Sequence, residues 1–131
     1  MQDTIADLNL FGSLYSKTRD QFSAFIAEFC YVVEGDDFRV YDFSIVDKSS
    51  THLRVDFAGK QFLVSFDFDH PSRTGIIGLY SRSCPSMLKE PEWKLRRDHR
   101  ISSTGEVEEV GTTSDAPELL LRWIAGEACI S

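Results

Sequence analysis

The sequence LRVDFAGKQFLVSFDFD, residues 53–69, decides the fold class of this chain. Apolar and polar residues alternate on both sides of a polar break at residues 58–61, which is typical of two antiparallel strands joined by a turn. The apolar face of this hairpin consists of Val55, Phe57, Phe62, Val64 and Phe66. A face of this kind has to be buried, so the hairpin needs a helix packed over it.

Residues 3–33 carry apolar side chains three or four positions apart, the spacing of an amphipathic helix. The stronger apolar stripe consists of Phe22, Phe25, Ile26 and Phe29. We predict that this stripe covers the hairpin. Thr18 and Gln21 have the spacing of a capping box, so either one long helix or two helices fit the pattern. Gly35 is predicted to end the helical region.

The rest of the chain predicts further strands and a second helix. Residues 38–46 have apolar side chains on both faces, which favours an interior strand. Residues 76–80 and 93–101 indicate two more strands, the second at a sheet edge because charged residues interrupt it. A weak strand is expected at 106–110.

A short closing helix is predicted from Asp115 as N-cap, Pro117 in the first turn and Gly126 as the stop. Residues 1–131 are therefore expected to form a single α+β domain. Its elements would be an N-terminal helix or two helices, a four- to five-stranded antiparallel sheet, and a short C-terminal helix.

Charge and cysteine content narrow the classes of function. The formal net charge of −7 and the sequence pI of about 4.9 oppose direct binding to nucleic-acid backbones or anionic membranes. Solubility alone accounts for such a charge equally well. Cys30, Cys84 and Cys129 have no disulfide or zinc spacing, and no apolar run is long enough to span a bilayer. We expect a cytoplasmic protein without a cofactor.

Two charged groups are candidate binding sites. The acidic group consists of Glu34, Asp36, Asp37, Asp42 and Asp47, and it suits a protein partner with a basic surface. A smaller acidic group lies at Glu106, Glu108 and Glu109. The alternative is a basic group, Lys94, Arg96, Arg97 and Arg100, which suits a phosphate or an acidic peptide but also suits a protected edge strand.

Metal and catalytic chemistry have weaker support in the sequence. Asp67, Asp69 and His70 are types that hold divalent cations, although two carboxylates on a solvent face give the same pattern. Cys84, or a serine with His52, His70 or His99, could supply a nucleophile and a base. No nucleophile elbow, zinc motif or Gly-rich phosphate loop is present in the sequence, so we expect no metal site and no enzyme.

These observations predict a small acidic, non-enzymatic binding protein that inhibits or neutralises a larger basic partner. In size and charge the chain is like immunity and anti-defence proteins of bacteria and their phages, a compositional likeness that carries over no residue. One alternative is a homodimeric protein-binding adaptor or secretion chaperone. The other is a small ligand-binding or catalytic α+β domain, with a pocket near Tyr41, Tyr80, Trp93 and His99.

Overall fold

The computed structural model describes residues 1–83, 90–108, 111–112 and 116–128. Within these ranges the chain forms a long helix, an antiparallel sheet and a shorter helix, so the predicted α+β class is confirmed. The helices are α1 (Gln2–Val33) and α2 (Ala116–Ala128). The strands are β1 (Phe43–Lys48), β2 (His52–Phe57), β3 (Lys60–Asp69), β4 (Thr74–Ser83), β5 (Lys94–Ile101), β6 (Glu106–Val107) and β7 (Gly111–Thr112).

The sheet is a meander in which each strand pairs with its neighbours in sequence, in the order β1 to β7. This gives more strands than the four or five predicted, because two of them are only two residues long. The strand predicted at 76–80 is confirmed, but the observed strand β4 is longer and extends from Thr74 to Ser83. The predicted strand at 93–101 agrees with β5 to within one residue.

The central hairpin joins β2 to β3 through a two-residue turn at Ala58 and Gly59, shorter than the break predicted at 58–61. Both residues have positive φ, +52° and +80°, the conformation of a type I′ turn. This turn matches the right-handed twist of the strands and sets the register in which Val55 pairs with Phe62. The alternation seen in the sequence therefore places one face of both strands against the helices.

The core forms between this face and α1, as predicted. Phe22, Phe25 and Phe29 of α1 are fully buried, and the Phe22 ring lies 5.4 Å from the Phe66 ring. The buried residues of the facing sheet are Leu53, Val55, Phe62, Val64, Phe66, Ile77, Leu79, Ile101 and Val107. Helix α2 completes the cover with Leu120, Trp123 and Ile124.

Helix α1 is one continuous helix of 32 residues, so the single-helix alternative is confirmed and no helix begins at Thr18. The Thr18 hydroxyl is buried and donates a hydrogen bond of 2.7 Å to the Leu14 carbonyl, one turn earlier in the same helix. Thr18 lies close to the sheet because β4 has a glycine opposite it. A Cβ at Gly75 would lie 2.7 Å from Thr18 and 2.6 Å from Phe66, so a larger residue would push the helix away.

The prediction of an interior strand at 38–46 is wrong. Only Phe43–Lys48 is a strand, and it lies at the edge of the sheet. Two features turn the chain before it: Phe38 folds back so that its ring lies 5.0 Å from the Phe43 ring, and Asp42 has a φ of +56°. Val40 and Tyr41 are therefore exposed, by 47% and 94%, although their spacing suited a strand.

The predicted end of the second helix is wrong, whereas its predicted N-cap is not tested. Gly126 does not end α2, because the helix continues to Ala128. The proposed N-cap, Asp115, lies outside the described residues, and so do Cys84, Glu109 and Cys129. Within the described part of the chain, no helix is long and apolar enough to cross a bilayer.

We expect Phe66→Ala to lower the free energy of unfolding by about 3–5 kcal/mol, because the ring is 93% buried between β3 and α1 and its removal leaves a cavity. Denaturant unfolding measures this loss. Leu10→Ala is the control, because Leu10 is 45% exposed on α1 and its truncation should cost little. Equal losses in the two variants would show that the hairpin face is not core.

Candidate functional site

The predicted acidic residues lie at the end of α1, in the segment before β1 and on β1, the edge strand of the sheet, rather than converging in a pocket. We call this surface the acidic edge, defined as Glu34, Asp36, Asp37, Asp42 and Asp47. Glu34 caps the C-terminus of α1, Asp42 precedes β1 and Asp47 lies near the end of β1. Because β1 has six residues, Asp42 and Asp47 are separated by about 17 Å along the strand.

Two members of the acidic edge are used in local contacts. The Glu34 carboxylate forms an ion pair of 3.3 Å with Lys48, which joins the end of α1 to the end of β1. The Asp47 carboxylate lies 2.9 Å from Nε2 of His52 across the β1–β2 turn. This hydrogen bond holds the pKa of Asp47 below its usual range. Glu34 and Asp47 are therefore structural as well as acidic.

The other three members have no charged partner among the described residues. Asp36, Asp37 and Asp42 are exposed, and none of them forms an ion pair or a side-chain hydrogen bond with any described residue. Asp42 also lines an open hollow of about 540 Å³ beside the β2–β3 turn. Asp56 lines the same hollow, and its Oδ1 atom is buried without a hydrogen-bond donor among the described residues. These three carboxylates are thus exposed to solvent, and the exposed Arg39 lies between Asp37 and Asp42 in the sequence.

Exposed apolar side chains accompany these carboxylates. Tyr41 is 94% exposed immediately before Asp42, Val40 lies next to it, and Val46 is half exposed on β1. Val46 is exposed at the point where the β1–β2 register shifts between Ile45 and Asp47, as in a β-bulge. Apolar residues at the centre of a charged rim are typical of protein–protein interfaces.

The basic group has a different environment, because its arginines contact groups of the same chain. Nη1 of Arg100 donates to Asp69 at 3.2 Å, and to Ser72 and Thr74 at 2.9 Å each. Arg96 Nε donates to the buried Ser81 hydroxyl at 2.9 Å.

The other two members of the basic group differ from each other. Arg97 lies 3.8 Å from the Glu127 carboxylate of α2. Lys94 is exposed, without an ion pair to any described residue. The arginines of this group therefore hold β5 to the β3–β4 turn, to β4 and to α2.

The outer face of the sheet, away from the helices, carries an aromatic and arginine cluster that the sequence did not reveal. The Cζ atoms of Arg82 and Arg54 lie 4.3 Å and 5.7 Å from the centroid of the Trp93 ring. Arg82 also donates to Gln61 at 2.7 Å and pairs with Glu90 at 3.3 Å. Because Arg54, Arg82 and Trp93 belong to three separate segments, no spacing rule could have connected them.

The metal candidates are not assembled into a site. Asp69 accepts hydrogen bonds from Ser72 at 2.6 Å and from Arg100, and these bonds hold the pKa of its carboxyl below the usual range. The His70 ring packs edge-on against Phe68 at 5.1 Å, and Asp67 is exposed. Among the described residues, no group of three or more His, Cys, Asp or Glu side chains is arranged to hold a metal ion.

One arrangement has the composition of a nucleophilic triad. Ser49 Oγ lies 2.7 Å from Nδ1 of His52, whose Nε2 lies 2.9 Å from Asp47. Ser49 lies in the β1–β2 turn and the other two residues on the strand ends that flank it, and the Ser49 hydroxyl also accepts a hydrogen bond from the Thr51 amide at 3.2 Å. A catalytic serine needs a preorganised oxyanion site shielded from water. The geometry therefore suits the stabilisation of a turn better than catalysis.

The pocket suggested near Tyr41, Tyr80, Trp93 and His99 does not bring those residues together. Tyr41 is on the acidic edge, Tyr80 pairs with Leu95 between β4 and β5, and the His99 ring stacks on Trp123 of α2 at 4.6 Å. Cys30 is buried in the core, and burial raises the pKa of its thiol, which makes it a poor nucleophile.

Comparison of the chain with protein-family models, with curated proteins and with solved structures finds no significant match. The assignment of a site therefore rests on the geometry described above.

The lowered pKa of Asp69 predicts a pH dependence of stability. An ionised carboxylate that is stabilised in the folded state contributes stability above about pH 4 and loses it as the pH falls through the folded-state pKa. We expect Asp69→Asn to be less stable than the wild type at neutral pH, with a difference that shrinks in acid. Urea unfolding at a series of pH values measures both curves.

The control is Asp67→Asn, which changes an exposed carboxylate on the same strand. Its stability curve should run parallel to that of the wild type between pH 7 and acid. If the Asp69→Asn curve were also parallel to the wild type, Asp69 would not be linked to folding as described.

Proposed function

We propose that this protein is a non-enzymatic binding protein that uses the acidic edge to bind and neutralise a larger partner with a basic surface. Immunity to a toxin and interference with a host defence protein are the two settings that this function suits. The partner is a protein, because exposed tyrosine and valine side chains lie among the carboxylates.

The main support for this proposal is that the arginines of the basic group have partners within the chain, whereas three carboxylates of the acidic edge have none among the described residues. The arginines of the basic group contact Asp69, Ser81 and Glu127 of the same chain, so fewer of their N–H donors are free to bind a ligand. Asp36, Asp37 and Asp42 have no such contacts with described residues, so burying them against a cationic partner breaks no ion pair within the described part of the chain. The acidic edge is thus a charged surface that is available for binding.

The net charge of the protein also supports binding to a basic partner. With a formal charge of −7, the whole molecule attracts a basic partner at long range, and the acidic edge orients the approach. Such steering raises the association rate and makes it sensitive to salt, while close contacts fix the lifetime of the complex. The three cysteines lack a disulfide spacing, which fits a reducing compartment, and we propose a cytoplasmic location.

A homodimeric adaptor is the second candidate, because α1 extends beyond the sheet it covers. Residues 1–10 are all exposed, and the large apolar residues among them include Ile5 at 49% and Leu8 at 66%. A second copy packed on these turns would bury them. This candidate differs from the first in its prediction for the mass of the protein in solution.

Charge reversal tests the leading function. The wild-type protein, immobilised, should capture a basic partner from the source cell at physiological salt. Asp36→Lys with Asp37→Lys should then lower the association rate with the purified partner by about tenfold or more, because it removes the steering field at the interface.

Asp67→Lys with Asp98→Lys is the matched control, since it changes the net charge equally at exposed positions away from the acidic edge. Its effect should be much smaller and should disappear first as salt is raised. Equal effects of the two double variants would locate binding elsewhere, and failure to capture any partner would contradict the proposed function.

Light scattering tests the second candidate. A homodimeric adaptor has twice the 14.9 kDa chain mass, and Leu8→Lys should return it to a monomer, because a charge replaces an exposed apolar contact. A wild-type mass of one chain at micromolar concentration would contradict this candidate and leave the leading one in place.

A further inference from the structure

We propose that Tyr41 anchors the complex by entering an apolar recess on the partner, and that lysine or arginine residues line the rim of this recess. This inference rests on the proposed function and adds which side chain holds the partner once charge has brought it near. Its chemistry is an exposed tyrosine ring followed directly by the Asp42 carboxylate in a chain of net charge −7, so the occupant is a basic protein surface with an apolar centre.

Tyr41 is almost fully exposed to solvent. Its side chain is 94% exposed, more than any other large hydrophobic residue among those described. Tyrosine is among the residues that most often carry binding energy at interfaces, because it buries a large rigid surface and keeps a hydroxyl for hydrogen bonding. Val40, 47% exposed, extends the apolar surface beside it.

The segment that carries Tyr41 is held from both sides. On one side the Phe38 ring packs on Phe43, whose ring lies 6.2 Å from Phe29 and 5.6 Å from Phe57. On the other side the carbonyl of Asp42 accepts a hydrogen bond of 3.2 Å from the Ala58 amide. Tyr41 is thus presented by a backbone tied to the core, which reduces the entropy lost when a partner orders it.

The charges around Tyr41 select the occupant. Asp42 follows it directly, and Asp42 and Asp56 line the hollow beside the β2–β3 turn. Lys60 also lines this hollow, but its ammonium donates to the Glu127 carbonyl at 3.1 Å, on the side of α2. A second copy of the chain would bring like charges together, which disfavours self-association at this surface. A basic partner has the complementary charge.

The chain supplies a matched control in Tyr31. Its side chain is 81% exposed, but it lies on α1 rather than in the segment before β1. A photoreactive p-benzoylphenylalanine residue replaces Tyr41 in one variant and Tyr31 in another, and the cells are irradiated. We expect position 41 to give a cross-link to one protein with a basic surface, and position 31 to give little or none.

Once the cross-link has identified the partner, binding measurements with the purified partner test how much Tyr41 contributes to affinity. Tyr41→Ala should weaken affinity by about tenfold or more, mainly through faster dissociation, as truncation of an interface anchor does. Tyr41→Phe should keep most of the affinity, since the ring remains. Tyr31→Ala should bind like the wild type. Unchanged melting temperatures would show that the exposed substitutions leave the fold intact.

Several outcomes would overturn the inference. Equal cross-linking from positions 31 and 41, a cross-link from position 41 to a second copy of the chain, or an affinity of Tyr41→Ala within about twofold of the wild type would each do so. If the immobilised wild-type protein captures a partner that position 41 does not reach, the inference fails and the proposed function stands. If neither capture nor cross-linking yields a partner, both fail.

Discussion

The contact between the phenylalanine face of the central hairpin and the C-terminal half of α1 is the interaction on which the rest of the structure depends. Phe62 and Phe66 of β3 meet Phe22, Phe25 and Phe29 of α1 in a region that excludes solvent. The contact fixes the position of β2 and β3, and the neighbouring strands then add to a sheet whose inner face is already defined. Gly75 lets α1 lie close enough for this packing, because no Cβ stands between the helix and the sheet.

Sequence reasoning recovered this contact because it depends on local periodicity. Alternating residues in the hairpin and a three-to-four spacing in α1 each identify a buried face from one short segment. The same rule failed at residues 38–46, where apolar residues alternate although the chain is turning. The Phe38 ring packs on Phe43 while Tyr41 faces solvent, and the positive φ of Asp42, which turns the chain just before β1, leaves no signature in the pattern.

The candidate site shows a second limit to prediction from sequence, which concerns the charged residues. Composition reveals a basic segment and an acidic segment, but whether a charge is available depends on pairs distant in the chain. Arg100 meets Asp69, 31 residues away, and Arg97 meets Glu127 of α2. Only after the fold brings these groups together can the arginines be recognised as internal supports, in contrast to Asp36, Asp37 and Asp42, which have no such contacts with described residues.

The meander order of the sheet also has a kinetic consequence. Every strand pairs with a neighbour in sequence, so each pairing closes only a short loop and loses little chain entropy. Such a sheet can grow hairpin by hairpin from the β2–β3 turn, and low contact order of this kind is associated with fast folding. The contacts of α1 with the sheet close longer loops, and its contact with α2 closes the longest, because it joins the two ends of the described chain. Closing that long loop is the step in which topology should slow the folding of this protein most.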